Sequence, residues 1–153
     1  MYQRAMLDNG LRIVTSTMPH THSVSVAFFV GVGSRYESDE QSGASHFIEH
    51  MLFKGTAKRP TTMDIASAIE RVGGILNAST GQEESTYWAR VPHHHLDAAI
   101  DVLADMLRHA KFTPSEIDRE RDVIITEINL TLDTPDELVH LMTNQLVWPN
   151  HPL

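Results

Sequence analysis

The sequence predicts an α+β fold, in which helices pack on one face of a mainly antiparallel sheet. Two patterns carry this prediction. Short segments of alternating apolar residues flank turn signals such as Asp8-Asn9-Gly10, as expected for β-hairpins. Longer segments carry apolar residues three and four positions apart, the spacing of amphipathic helices. The predicted order ββ, β, α, α, ββ, α, α, α places hairpin-connected strands beside helices that cover one face of the sheet, and 153 residues suffice for one domain.

Three strands are predicted at the start of the chain. Residues 3–7 and 11–16 flank the Asp-Asn-Gly turn and form the opening hairpin. Residues 23–32 alternate apolar and smaller side chains, which predicts the third strand. Residues 31–42 are polar and predict a loop.

The first helix is predicted over residues 42–53. Ser42 can cap its first turn, and the carboxylates of Asp39 and Glu40 suit the positive end of the helix dipole. The side of this helix that we expect to be buried carries Phe47, Ile48, Met51 and Leu52.

The rest of the chain predicts two more strands and four more helices. Either Thr61 or Thr62 can cap a second helix, which ends at Gly73-Gly74. Strands over residues 75–80 and 85–92 meet near Gly81. Three further helices are predicted over residues 96–110, from Pro114 to about Asp133 and from Pro135 to about Trp148, followed by a turn at residues 149–153. The third helix has an apolar stripe of Leu96, Ala99, Ile100, Leu103 and Leu107, and the fourth has one of Ile117, Val123, Ile124, Ile125 and Ile128.

Composition excludes several classes of function. The net charge is −8 and no basic cluster is present, which argues against nucleic acid as a partner. The chain has no cysteine, so disulfides, thiolate zinc sites and cysteine nucleophiles are excluded and a cytoplasmic location fits. There is no signal segment at the N-terminus and no apolar run near the ~20 residues that a membrane helix needs, so we expect no membrane association.

The segment that indicates chemistry is His46-Phe47-Ile48-Glu49-His50 in the first predicted helix. The two imidazoles lie one helical turn apart on the same face, so their nitrogens can converge on one metal ion. The carboxylate of Glu49 is then placed to handle a water at that ion. The motif predicts a zinc site, while the alternative is a pair of surface or core histidines on an amphipathic helix.

Two carboxylates of the fourth predicted helix are candidates for the same site. Glu120 and Glu127 lie seven residues apart, so they share one side of the helix, which apolar residues border. A carboxylate on a buried side is costly without a cation or hydrogen-bond donors. The alternative is that both reach solvent or pair with Arg119 or Arg121. The two-histidine site that lacks a third ligand favours the metal interpretation.

The run of three histidines, His93-His94-His95, precedes the third predicted helix. Adjacent residues at a helix start point in different directions, so these three cannot all bind one ion. The turn at Pro92 and the continuing apolar periodicity favour an ordinary helix entrance over a tag-like segment or a catalytic role.

The segment from Gly43 to Thr56, with its H-x-x-E-H motif, resembles the active-site segment of the inverted-zincin peptidases, the family of pitrilysin, insulin-degrading enzyme and mitochondrial processing peptidase. The likeness is strongest to the bacterial processing-peptidase-like members. A run of the family form E-R-x-V-I-x-x-E is present at residues 120–127. The resemblance implies Glu127 as the third zinc ligand and Glu120 as a carboxylate that supports the site.

A third stretch, residues 73–80, resembles the family's edge strand that takes a substrate peptide as an added β-strand. The resemblance implies that Asn77 and Ala78 meet the backbone of the substrate. The structural alternative is that Asn77 only ends a strand.

The resemblance implies a zinc metalloendopeptidase that cleaves extended, unstructured peptides. One Zn²⁺ would be bound by His46, His50 and Glu127, with Glu49 as the general base. It also implies the fold of the family's first domain, and a second homologous domain or subunit as partner. Family members are considerably longer, so we expect residues 1–153 to be the N-terminal zinc-binding domain of a longer chain or one half of an oligomeric peptidase.

Three other interpretations compete with a peptidase. The first is a non-catalytic, peptide-binding subunit, or an isolated fragment that is inactive; such subunits typically lose part of the motif, which is complete here. The second is a zinc-dependent lyase acting on a ribosyl-homocysteine, which needs a cysteine that this chain lacks. The third is a purely structural zinc site, which would use four protein ligands and leave no spare carboxylate such as Glu49.

Overall fold

The computed structural model of the protein describes residues 2–149, and the predicted final turn therefore lies almost wholly outside the described residues. Over this range the elements, in chain order, are β1 (Tyr2–Met6), β2 (Arg12–Ser16), β3 (Ser23–Val30), α1 (Ala44–Leu52), α2 (Thr62–Glu70), β4 (Ile75–Thr80), β5 (Ser85–Pro92), α3 (Leu96–His109), α4 (Pro114–Asp133) and α5 (Pro135–Val147). The predicted α+β class is confirmed, and every predicted helix and strand is present within these residues. None of the helices between residues 2 and 149 is long and apolar enough to cross a membrane.

The strands form two antiparallel sheets where the sequence suggested one. β1 pairs with β2 alone, and Gly10, at a φ of 85°, closes the turn between them. The second sheet has the order β3-β5-β4. Within residues 2–149, β4 therefore has a neighbouring strand on one side only and forms an edge of this sheet.

The core lies between the three-stranded sheet and the helices α1, α2 and α3. One face of the sheet is buried against the helices, whereas the other carries exposed side chains such as Phe29. This arrangement confirms that the helices pack on one face. The buried cluster consists of Leu52, Ile65, Ile69, Tyr87, Ala89, Val91, Ala99, Val102, Leu103 and Met106.

The predicted apolar stripes match the buried faces only in part. On α3, Ile100 is exposed, while Val102 and Met106 are buried. On α4, the predicted stripe is largely exposed, including Val123 and Ile128. Periodicity identifies an apolar face, but the elements packed against a helix decide which part of that face is covered.

The cap predicted for α1 is wrong. The residue at the N-cap is Gly43, with a φ of 85°, and Ser42 makes no capping hydrogen bond. The carboxylate of Glu37 instead accepts hydrogen bonds from the backbone N–H groups of Gly43 and Ser45, both at 2.7 Å. Partial burial acts to raise the pKa of Glu37, but the hydrogen bonds from Ser45 and Gly43 lower it overall. The positive end of the α1 dipole is thus stabilised by the carboxylate of Glu37 and not, as predicted, by Asp39 or Glu40.

The loop between α1 and α2 is fixed to α3 by a buried polar cluster. Thr56 is fully buried and its hydroxyl donates to the Asp105 carboxylate at 2.7 Å. Arg59 donates to the same carboxylate at 2.7 Å, and His109 lies 3.2 Å from it. Burial acts to raise the pKa of Asp105, but the hydrogen bonds from Thr56 and Arg59 hold it below its ordinary value. This cluster fixes where the chain goes after α1.

Replacing Asp105 with asparagine should lower the free energy of unfolding at pH 7 by roughly 3 kcal/mol, because a buried charge pair with Arg59 is broken. Since the native pKa of Asp105 is below its unfolded value of about 3.9, the carboxylate stabilises the fold above that pH, and this contribution is lost as the pH falls through the lowered native pKa. The difference between the wild-type protein and Asp105→Asn should therefore shrink in acid, as measured by urea unfolding from pH 7 to pH 3.

The matched control is Asp101→Asn, one turn away on α3. Asp101 also pairs with Arg59 and Lys58, but its side chain is 47% exposed. Its loss should cost less than about 1 kcal/mol. Equal destabilisation by the two variants would contradict the role assigned to Asp105.

Candidate metal centre

Two histidines of α1 face each other as the motif predicts. The Nε2 atoms of His46 and His50 are 3.0 Å apart. Their rings are nearly perpendicular, at 86°, with 4.6 Å between centroids. Since both side chains leave the same helical face one turn apart, their nitrogens point to a common position.

Glu127, in the middle of α4, reaches the same position. Its Oε2 lies 3.8 Å from Nε2 of His46 and 3.7 Å from Nε2 of His50. Among residues 2–149, these three form the one group of three or more His, Asp or Glu side chains whose ligand atoms converge closely enough to hold a metal ion. The carboxylate is half exposed, so the position can be reached from solvent.

These donors fit zinc. A tetrahedral ion with bonds of about 2.0–2.1 Å needs donor atoms roughly 3.3 Å apart, and the observed separations of 3.0 to 3.8 Å bracket that value. Two imidazole nitrogens and one carboxylate oxygen are a ligand set that zinc favours, and three protein donors leave a fourth position for water or substrate.

Glu120 supports the candidate metal site through a hydrogen bond with His50. It is buried, with 3% of its surface exposed. One carboxylate oxygen accepts a hydrogen bond from Nδ1 of His50 at 2.7 Å, and the other pairs with the ammonium of Lys54. Burial acts to raise the pKa of Glu120, but the hydrogen bonds from Lys54 and His50 lower it overall. A His50 ring that donates through Nδ1 keeps Nε2 free as a ligand.

Glu49 is not part of the ligand group and is hydrogen-bonded to the sheet. One of its oxygens accepts a hydrogen bond from the hydroxyl of Thr80, the last residue of β4. Burial, together with the negative charge of Glu49, raises the pKa of the nearby Tyr87 to about 12, so this phenol stays protonated. Glu49 is thus a carboxylate beside the candidate metal position that is not part of the ligand group.

The free edge of β4 lies next to this site. Gly81 and Glu84 form a hydrogen-bonded pair at the hairpin turn, through a bond of 2.8 Å. Because hydrogen-bonded and non-hydrogen-bonded pairs alternate along an antiparallel ladder, the pairs of Thr80 with Ser85 and of Ala78 with Tyr87 are non-hydrogen-bonded. The backbone N–H and C=O groups of Ala78 and Thr80 therefore face the free edge.

Asn77 is oriented differently from Ala78 with respect to the free edge of β4. Its backbone faces β5 in the alternation, but its side-chain oxygen accepts a hydrogen bond from the N–H of Ala78 at 2.9 Å. Asn77 lies in the middle of β4, so the alternative that it merely ends a strand is wrong. Of the two residues predicted to meet a peptide, Ala78 presents its backbone at the edge and Asn77 presents its side chain.

The other predicted candidates lie apart from the centre. The alternative in which Glu120 and Glu127 pair with arginines is wrong, because Arg119 pairs with Glu116 and Arg121 with Asp118. His93–His95 form a short 3-10 turn that follows Pro92. That turn is at the end of β5 opposite to Ser85 and Thr80.

Two residues at the site were missed from the sequence, Lys54 and Thr80. Lys54 lies four residues after His50, just beyond the end of α1, and this helical spacing could have placed it beside Glu120. Thr80 gave no local signal, since its contact with Glu49 joins residues 31 positions apart.

Comparison with known proteins adds independent findings. The sequence profile of the family described as insulinase (peptidase family M16) matches residues 12–153. A Bacillus subtilis protein named uncharacterized zinc protease YmxG is 40% identical over all 153 residues, which cover 37% of its length. A probable mitochondrial-processing peptidase subunit beta of Arabidopsis thaliana is 44% identical over 133 residues, covering 87% of this chain and 25% of that protein. The crystal structure of a Helicobacter pylori protease superposes with a TM-score of 0.85 at 27% identity, over 90% of this chain and 33% of the other. The chain thus spans between a quarter and somewhat more than a third of the length of these relatives.

Replacing Glu127 with glutamine should weaken zinc retention strongly, because the neutral amide is a much poorer ligand than the carboxylate. Glu120→Gln should weaken it less, by about 10–100-fold, since Glu120 acts through His50. Zinc affinity is measured by competition with a chelator. Glu116→Gln, on the same helix, is the control and should bind zinc like the wild-type protein. Unchanged affinity in Glu127→Gln would remove this residue from the ligand set.

Proposed function

Because the chain belongs to the insulinase family of peptidases, family M16, we propose that it carries the zinc centre of a metalloendopeptidase that cleaves extended, unstructured peptides. The observation that carries this proposal is the convergence of His46, His50 and Glu127 beside a carboxylate, Glu49, that is left free of the ligand group. The relatives named as zinc proteases support zinc as the metal and peptides as the substrate class. The activity proposed here is that of a whole protein of the relatives' length.

His46, His50 and Glu127 would hold the ion, and Glu120 would orient His50 through its Nδ1 hydrogen bond. Zinc bound there would supply Lewis-acid chemistry, which acidifies a water and polarises the carbonyl of the scissile peptide bond. The carboxylate of Glu127 is half exposed, which supports access of a peptide to the ion from solvent.

Glu49 would act as general base and then as general acid. As the water oxygen forms a bond to the carbonyl carbon, one Glu49 oxygen takes the water's proton. When the carbon–nitrogen bond breaks, the same proton passes to the leaving amine, so that the carboxylate is restored. The oxygen that does not accept from Thr80 is the one free for this transfer.

The edge of β4 would hold the substrate as an added strand. Main-chain hydrogen bonds to the outward-facing groups of Ala78 would align an extended peptide with little dependence on its side chains. The side-chain amide of Asn77 lies at the same edge and would have to exchange its bond to the N–H of Ala78 for one to the peptide.

A second homologous domain or subunit, assembly into an oligomer and a cytoplasmic location stay predictions of the sequence. The lengths of the relatives fit a partner domain, since the chain covers 37% of the Bacillus protein.

Changing Glu49 to glutamine should abolish peptide cleavage while zinc binding is retained, because the amide cannot take the proton but the ligands are untouched. The assay uses a quenched, unstructured peptide and the full-length protein, with zinc content measured on the same samples. Glu40→Gln, an exposed glutamate before α1, is the control and should cleave normally. Normal turnover by Glu49→Gln would overturn the general-base role, and a wild-type protein that binds peptide but never cleaves it would favour the non-catalytic subunit.

Changing Ala78 to proline should raise KM for the peptide at least several-fold, because proline removes an edge-facing N–H that β5 does not use. The melting temperature should stay within a few degrees of the wild-type value, as proline is tolerated on an edge strand. Ala78→Ser, which keeps the N–H, is the control and should bind peptide normally. An unchanged KM in Ala78→Pro would contradict strand addition at this position.

A further inference from the structure

We propose that Thr80 is a positioning residue that aims the Glu49 carboxylate at the metal centre, and that Ser85 fixes the direction of the Thr80 hydroxyl. The proposal rests on the function proposed above, in which Glu49 is the general base. It assigns a role to a hydrogen-bonded chain that runs from the sheet to α1.

Each hydroxyl hydrogen in this series of hydrogen bonds can be assigned to one acceptor. The Thr80 hydroxyl has a single hydrogen, and it is donated to Glu49. The bond of 3.1 Å between the hydroxyls of Thr80 and Ser85 must then be donated by Ser85. Ser85 is fully buried and its alternative acceptor, the carbonyl of Val32, is more distant at 3.5 Å. The chain therefore runs in one direction, from Ser85 through Thr80 to Glu49.

Glu49 depends on this chain for its orientation. Its bond from Thr80 is the one side-chain hydrogen bond or ion pair that it makes among residues 2–149. A glutamate side chain has three rotatable bonds, so without a partner it samples many rotamers. Thr80 is β-branched and lies in a strand, where its χ1 angle is restricted. Its hydroxyl is thus a rigid donor that selects one Glu49 rotamer.

The hairpin turn that carries Thr80 and Ser85 is itself held in place. A Cβ atom on Gly33 would lie 2.5 Å from the carbonyl oxygens of Gly81 and Gln82, so the backbones touch there and only glycine fits. The N–H of Arg35 donates to the same Gln82 carbonyl at 2.9 Å. The loop before α1 therefore fixes the turn.

Thr80 also links Glu49 to the free edge of β4, where the substrate peptide is proposed to bind. Its side chain reaches Glu49 on the helical side of the sheet, while its backbone groups face the free edge, like those of Ala78 two residues earlier. The strand proposed to align the peptide is therefore the strand that orients the base. A peptide paired with Ala78 and Thr80 would be in a fixed relation to the Glu49 carboxylate.

The experiment compares Thr80→Val and Thr80→Ser in the full-length, zinc-loaded protein. Valine keeps the shape and strand preference of threonine but removes the donor, so kcat should fall about 10–100-fold with KM and zinc affinity unchanged. Serine keeps the donor, so it should recover most of kcat. Ser85→Ala leaves the Thr80 hydroxyl without its fixed donor and should lower kcat less than Thr80→Val. Ser25→Ala, on the exposed face of β3, is the control and should behave as the wild type.

Crystal structures of the zinc-loaded variants give a readout that does not depend on turnover. Glu49 should leave its rotamer in Thr80→Val and keep it in Thr80→Ser. An unmoved Glu49 in Thr80→Val, or a kcat equal to the wild-type value, would overturn the proposal. If the wild-type protein cleaves no peptide, the proposed function fails on its own, and the position of Glu49 in the two variants still decides the role of Thr80.

Discussion

The hydrogen bond between Nδ1 of His50 and the buried carboxylate of Glu120 is the contact on which the candidate metal centre depends. It joins α1 to α4 across 70 positions of the chain. A carboxylate with 3% exposure is costly to bury, and His50 and Lys54 together supply the donors and the charge that offset this cost. Once Glu120 is fixed in this way, Glu127 lies two turns further along α4 and faces the same two histidines. The ligand group therefore follows from one buried contact.

Much of the fold could be predicted because its signals are local. The bounds of β4, β5 and α4 agree with the predicted ones, since glycine and proline mark their ends clearly. The cap of α1 could not be predicted, because Glu37 reaches the helix start from six residues before Gly43, through a turn that no capping rule describes. The exposed side of α4 was missed for a related reason. Apolar periodicity on a single helix does not say which other elements will cover it.

The residues of the candidate site also differ in whether local sequence or tertiary packing brings them together. His46, Glu49 and His50 lie within one helix, so their spacing alone places them together. Glu120 and Glu127 share a face of α4, but their distance from α1 depends on tertiary packing. The prediction that they join the site relied on the missing third ligand of the two-histidine site, and the resemblance to a family implied their separate roles. Neither helical spacing nor the family resemblance indicated a contact between Thr80 and Glu49. Thr80 meets Glu49 only because the β4–β5 hairpin ends beside α1, held there by the close contact of Gly33.

The helices and the three-stranded sheet contribute different parts of the candidate site. The helices α1 and α4 supply all three candidate ligands and the carboxylate that supports them, so the metal position is set by helix packing. The sheet supplies the free edge and the Thr80 hydroxyl, so in the proposed mechanism one strand would align the peptide and orient Glu49. Catalysis requires the base and the scissile bond to be held in a fixed relation near the ion, since misplacement by about 1 Å can cost 100-fold in rate. A strand that contacts both would meet this requirement, because a peptide paired with β4 and the Glu49 carboxylate bonded to Thr80 would be positioned by the same strand.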